Sequence, residues 1–159
     1  MKQLLLLFLT VLIFGCNGNA QDEKNKEYPL SKTEAEWKAE LSPQEFQILR
    51  KGGTEPPFSS PLNDIDEPGT FVCAACENPL YRTKNKFDSG TGWPSFDRPI
   101  NEENVDYRPD RINGVKATEV ACANCGGHLG HVFNDGPKET TGRRHCINGI
   151  AMKFIPDTK

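Results

Sequence analysis

A β-rich domain of short strands and frequent turns, opened by two short helices, is the fold class this sequence predicts. Three observations lead there. Beyond Pro56-Pro57 the apolar stretches are short and separated by Pro, Gly, Asn and Asp every several residues, the texture of strands joined by turns. No helical periodicity is sustained in that region. Ahead of it, two Ser-x-x-Glu arrangements mark helix starts. The chain has 159 residues, enough for one ordinary domain.

In chain order, Met1-Lys2 precedes an apolar run from Leu4 to Phe14 that only Thr10 interrupts. The run is too short to span a bilayer and suits the h-region of a secretory signal. It ends in Ile13-Phe14-Gly15-Cys16, which resembles the lipobox of bacterial lipoproteins, where the cysteine is lipidated. The rival is cleavage after Gly18-Asn19-Ala20, which would release a soluble protein and discard Cys16. Residues 1–20 are therefore read as a signal peptide and 21–32 as a polar tether with nothing to bury. Residues 33–157 form the domain, placed outside the cytoplasm, in the periplasm or held at a membrane through Cys16.

Ser31 with Glu34, and Ser42 with Glu45, each fit a capping box, and Pro43 stands at the first position of the second helix. That helix is predicted to run to about Lys51 and to stop at Gly52-Gly53. Strand-like runs follow at Thr70 to Val72, Val115 to Val120, Leu129 to Phe133 and Ile147 to Phe154. The net charge is −3, from 19 basic and 22 acidic side chains without like-charge blocks. This balance argues against nucleic acid as a partner.

Cys73-Ala-Ala-Cys76 and Cys122-Ala-Asn-Cys125 are two CxxC pairs with 45 residues between them. Each such turn aims two sulfurs at one point, and two turns complete the tetrahedron of a zinc ion. Four thiolates leave no open position, so one structural zinc is expected, clamping distant parts of one small sheet. Gly126-Gly127 gives the second turn room to curl round the metal, and Glu77 holds the comparable place after the first. Structural disulfides and a redox CxxC are the alternatives. A disulfide across CxxC closes too small a ring to stabilise much.

Cys146 is then the one free thiol of the domain. A lone cysteine in an apolar strand is commonly inert, but Arg143, Arg144 and His145 directly precede it. Cations favour the reactive thiolate. His128 and His131, three apart, offer acid–base groups. In a strand that offset places them on opposite faces, so a turn at Gly130 is expected to bring them together.

The segments FDSGTGWPSF (Phe87–Phe96), HLGHVFNDGP (His128–Pro137) and RHCINGIAMKFIP (Arg144–Pro156), with the two CxxC pairs, resemble the methionine sulfoxide reductase B family. LSPQEFQILRKGGTEPPFSS resembles the start of that family's domain, and the likeness covers about Glu36 to Pro156. The resemblance implies a tent-like pair of antiparallel sheets and thiol-dependent reduction of the R epimer of methionine sulfoxide in proteins and peptides. It implies Cys146 as nucleophile, His131 and His128 as groups that protonate or hydrogen-bond the sulfoxide oxygen, and Trp93 as the wall for the S-methyl group. Asn148, two residues past Cys146 on the same strand face, would hold a water or the oxygen. Arg144 is read as lowering the thiol pKa and Asp135 as orienting a neighbour. His145 stands where many members carry tyrosine, and its role is open. Thr91 stands where many members carry a resolving cysteine, so a thioredoxin-like reductant is expected to act on Cys146 directly. Two competing readings are a four-cysteine zinc module that only binds a partner, and a redox sensor that uses Cys146 as a switch.

Overall fold

The computed structural model describes residues 26–158; the signal peptide, Cys16 and the first part of the tether lie outside them. Two short helices open the domain, α1 at Glu34–Glu40 and α2 at Pro43–Lys51. Helix α2 starts where the sequence indicates, with a full Ser42–Glu45 capping box and Pro43 in its first turn, and it stops at Gly52. Helix α1 differs: its box is Thr33 with Glu36, two residues beyond Ser31 and Glu34. Glu34 is instead free to pair with Lys38 and Lys51.

The rest is strand and turn. In chain order these are β1 (Gly69–Cys73), β2 (Pro79–Arg82), β3 (Lys86–Phe87), β4 (Ser95–Phe96), β5 (Val105–Ile112), β6 (Val115–Cys122), β7 (His128–Phe133), β8 (Arg144–Ile147) and β9 (Met152–Pro156). They make two antiparallel sheets, one ordered β2-β1-β9 and one ordered β3-β4-β8-β7-β6-β5. The fold is mainly β, as the sequence indicates. The run Ile147 to Phe154 is not one strand, however. A 3-10 turn at Gly149–Ala151 divides it, and its halves serve different sheets.

An aromatic cluster joins the sheets. Phe71 of β1 meets Phe96 of β4 edge-on at 5.0 Å, and Tyr81 of β2 stacks on Phe96 at 4.3 Å. All three rings are fully buried, worth about 1.5–3 kcal/mol each for burial of the ring. Trp37, Phe46 and Leu49 of the helices extend the same core.

The stretch before α1, read from composition as free tether, is docked from Lys26 onward. Tyr28 donates to Asp106 at 2.6 Å, and the Leu30 amide donates to the Asn124 carbonyl at 2.9 Å. The Tyr28 ring lies so close to Gly126 that a β-carbon there would meet it at 2.7 Å.

Candidate active site

The register of the large sheet assembles the site. Ser95 of β4 pairs with Cys146 of β8, Cys146 with His131 of β7, His131 with Glu119 of β6, and Glu119 with Arg108 of β5. Directly paired residues share a face, so one row of side chains crosses five strands with the thiol beside an imidazole. Alternation along β8 puts Arg144 on that face with Cys146, and His145 on the other.

His128 joins this face by a route the spacing alone does not show. Val120 pairs with Gly130 whereas Ala121 pairs with His128, so Leu129 is an extra residue in β7. A β-bulge of this kind absorbs one residue and turns an offset of three into an effective offset of two. The two imidazoles consequently lie 5.4 Å apart, centre to centre. The bulge replaces the expected turn at Gly130, which stays within the strand. Gly130 is needed for another reason, since a β-carbon there would fall 2.0 Å from the Cys146 carbonyl oxygen.

Cys146, His131, Trp93 and Asn148 line one cleft of about 230 Å³, together with Thr54, Gly130, Phe133 and Ile112. His128, Asp135 and Arg144 are not part of this lining. A larger hollow of about 390 Å³ shares Trp93 but contains neither the thiol nor a histidine, so the smaller cleft is the chemically equipped one. His131 contacts Asp110 through Nε2 at 2.8 Å, and His128 contacts Glu119 through Nδ1 at 2.7 Å. Nε2 of His128 is buried without a hydrogen-bond partner among the described residues.

The electrostatics correct the expectation of three cations around the thiol. Arg143 turns away to the Glu102 carboxylate and lies over the Tyr107 ring. His145 is fully buried against Tyr81 and Tyr107, with Nδ1 3.2 Å from the Tyr81 hydroxyl. Burial, reinforced by Arg143, pulls its pKa down to about 4, so it is neutral at pH 7. Only Arg144 acts on Cys146. Its guanidinium is held by Asp135 through two bonds of 2.9 and 2.8 Å and lies over Phe133, the arrangement of a positioned cation. Burial nevertheless pushes the Cys146 thiol above its ordinary value, against the opposing pull of Arg144 and of the Thr91 hydroxyl. Burial thus favours the neutral thiol at rest.

Asn148 is the residue just beyond β8, at the start of the 3-10 turn, so strand alternation does not govern it. Its amide donates to the Leu129 carbonyl at 3.0 Å and accepts from the Glu55 amide at 3.0 Å. Glu55 is the residue that the sequence reading missed. It is 3% exposed. Its carboxylate accepts from the amides of Gly149 and Ile150, and its carbonyl accepts from Trp93 Nε1 at 3.1 Å. It thereby fixes Trp93 and Asn148 relative to each other. A glutamate before two prolines carries no sequence mark of that task.

Away from the cleft, Cys73, Cys76, Cys122 and Cys125 bring their sulfurs within 4.8 Å of one another. The Cys73–Cys125 and Cys76–Cys122 separations are 3.8 and 3.6 Å. A tetrahedron of sulfurs at about 2.3 Å from a metal has edges of roughly 3.8 Å, whereas a disulfide needs about 2.05 Å. The four residues are positioned to hold a metal ion. Each knuckle closes alike: Glu77 and Gly126 donate back to Cys73 and Cys122 at 2.9 and 2.8 Å, both at positive φ (59° and 68°). The first pair ends β1 and the second ends β6, so the cluster ties the two sheets together and does not clamp a single one.

The SelR domain model matches residues 41–156. A protein of Leptospira interrogans named peptide methionine sulfoxide reductase MsrB is 47% identical over 127 residues, covering 80% of this chain and 96% of its own length. A protein of the same name from Agrobacterium fabrum is 48% identical over 127 residues, covering 80% and 93%. Another from Alteromonas mediterranea is 47% identical over 133 residues, covering 84% and 91%. On the extent of these matches, the chain belongs to the methionine sulfoxide reductase B family, whose domain is the SelR domain.

Proposed function

We propose that this protein reduces the R epimer of methionine sulfoxide in proteins and peptides to methionine, with Cys146 as nucleophile. The observation that carries this reading is the cross-strand pairing of Cys146 with His131 in a cleft walled by Trp93. Sulfur and its methyl group pack well on an aromatic face. Trp93 is fixed through Nε1 to the Glu55 carbonyl, which fits it to wall one side of the methyl group.

A protonated resting thiol suits the stoichiometry. The Cys146 sulfur attacks the sulfoxide sulfur, the substrate S–O bond breaks, and the oxygen ends on Cys146 with the thiol's proton. The products are methionine and a Cys146 sulfenic acid. His131 hydrogen-bonds the oxygen and relays the proton as negative charge gathers there, a contribution of about 10²- to 10⁴-fold. Arg144 stabilises the developing thiolate from its Asp135 anchor. Asn148 ties Leu129 of β7 to Glu55, and His128 sets a second imidazole beside His131. Glu55 is a positioning residue.

The reset requires an external dithiol. Thr91 Oγ1 lies 4.0 Å from Cys146 Sγ, and a hydroxyl forms no disulfide. The other described thiols form the metal cluster. One thiol of a thioredoxin-like protein attacks the sulfenic sulfur and releases water. Its second thiol then frees Cys146 and leaves as the disulfide. The four-cysteine cluster holds one zinc in a structural role, since four thiolates leave no site for substrate. The apolar run and Cys16 support an extracytoplasmic placement, with a lipid anchor or a soluble secreted form, where the enzyme repairs oxidised proteins.

Turnover on the separated R and S epimers of a methionine sulfoxide peptide tests the reading. Reduction of the R epimer alone, lost in Cys146→Ser with metal retained, is expected. Equal turnover of the S epimer, or turnover by Cys146→Ser, would contradict it.

A further inference from the structure

The hairpin β5–β6 reaches past the row that carries the thiol. Its tip is the two-residue turn Asn113-Gly114, with φ of 50° and 82°, the pattern of a tight hairpin turn whose twist matches its strands. Asp110, near the tip, contacts His131 at 2.8 Å, and Ile112 lines the cleft. The hairpin tip is therefore part of the site wall and is held to it at a group of the reaction.

Ile112 pairs directly with Val115 across the hairpin, so both side chains lie on one face. They are 36% and 69% exposed, and they are two of only four large apolar side chains so exposed among the described residues. Ile112 is at the cleft and Val115 lies outside it. The apolar surface thus continues outward from the cleft along the hairpin. Met oxidation makes a buried side chain polar and disrupts the core around it, and a segment that supplies a core methionine carries other apolar side chains for the same core.

Building on the reading of the cleft as a methionine sulfoxide site, we propose that the Ile112–Val115 strip is a docking surface for the polypeptide flanking the oxidised methionine. It binds an apolar side chain adjacent to the sulfoxide and makes Ile112 and Val115 specificity-determining residues. Partial burial of one leucine-sized side chain corresponds to a preference of about three- to tenfold in kcat/KM, expressed mainly in KM because the contact is present in ground and transition states alike.

Two capped R-sulfoxide tripeptides, Leu-Met(O)-Leu and Ser-Met(O)-Ser, test this on the full chain, with dithiothreitol as reductant so that docking of a protein reductant plays no part. The native protein is expected to prefer the leucine peptide by three- to tenfold. Ile112→Ser and Val115→Ser should each bring the ratio below about twofold, and Ile112→Leu should retain it. Reduction of both peptides at equal efficiency, or a preference that survives in both serine variants, overturns the proposal and leaves the sulfoxide reading intact. Reduction of neither peptide by the native protein overturns both.

Discussion

Replacing His145 with Phe should remove a large part of the protein's acid sensitivity. His145 has no exposed surface, and burial, with Arg143 beside it, brings its pKa from 6.5 down to about 4. Its Nδ1 has Tyr81, while Nε2 is buried without a partner among the described residues, so a second ring proton would meet none of them. Between pH 6.5 and 4 the unfolded chain binds a proton that the native state refuses. Stability therefore falls as pH drops through 6.5 and stops responding to this group below about pH 4. A gap of about 2.5 pKa units at 1.36 kcal/mol each gives a loss of about 3 kcal/mol across the window. Phe at 145 leaves the Tyr81 hydroxyl without its partner, which costs about 1–3 kcal/mol at all pH values. The test is therefore the pH dependence and not the absolute stability. Urea unfolding at pH 7 and 4.5 should show the native protein losing about 2 to 3 kcal/mol more than His145→Phe. Equal losses in the two proteins would refute the argument, as would a His145 resonance titrating near 6.5.

Three further outcomes follow from the same geometry. Arg144→Met removes the cation acting on Cys146, so the thiol, already raised by burial, should rise further; iodoacetamide alkylation at pH 7 should slow about three- to tenfold, and an unchanged pH profile would count against Arg144. Cys122→Ser should lose the bound metal and cooperative unfolding together, because the cluster joins two sheets and metal binding is coupled to folding; a metal-free variant with native unfolding behaviour would contradict this. Thr91→Cys places a thiol beside Cys146, and peroxide or substrate should then produce a 91–146 disulfide detectable by mass spectrometry, whereas persistent free thiols at both positions would show that the loop does not close.

What the sequence revealed and what it concealed divide along physical lines. The Ser42–Glu45 box with Pro43 is local chemistry, and it placed α2 to the residue. The CxxC pairs are equally local, and their convergence required only that two turns meet. Strand β5 escaped notice because Asp106, Arg108, Asp110 and Arg111 give it no apolar run, and because Pro109 sits in it, which an edge strand tolerates. Asn113-Gly114 was the available signal for the hairpin, since that dipeptide suits a turn with both residues at positive φ. The cations before Cys146 misled because adjacency in a strand is not proximity. Alternation sends Arg143 and His145 to the far face, and pattern alone could have said so. The bulge at Leu129 could not be read in advance, because it exists only in the register with β6. Glu55 acts on Gly149 and Ile150 from more than ninety residues away, so only the folded structure reveals it.

The central proposal is that Cys146 accepts the oxygen as a sulfenic acid with no partner thiol outside the metal cluster among the described residues. A single-turnover reaction with an R-sulfoxide peptide and no reductant tests it most directly, with methionine counted and Cys146 probed by dimedone. About one methionine per protein molecule, a dimedone adduct on Cys146 and retention of the metal are expected. A disulfide between Cys146 and another cysteine of the chain in place of that adduct, or methionine released without modification of Cys146, would contradict it.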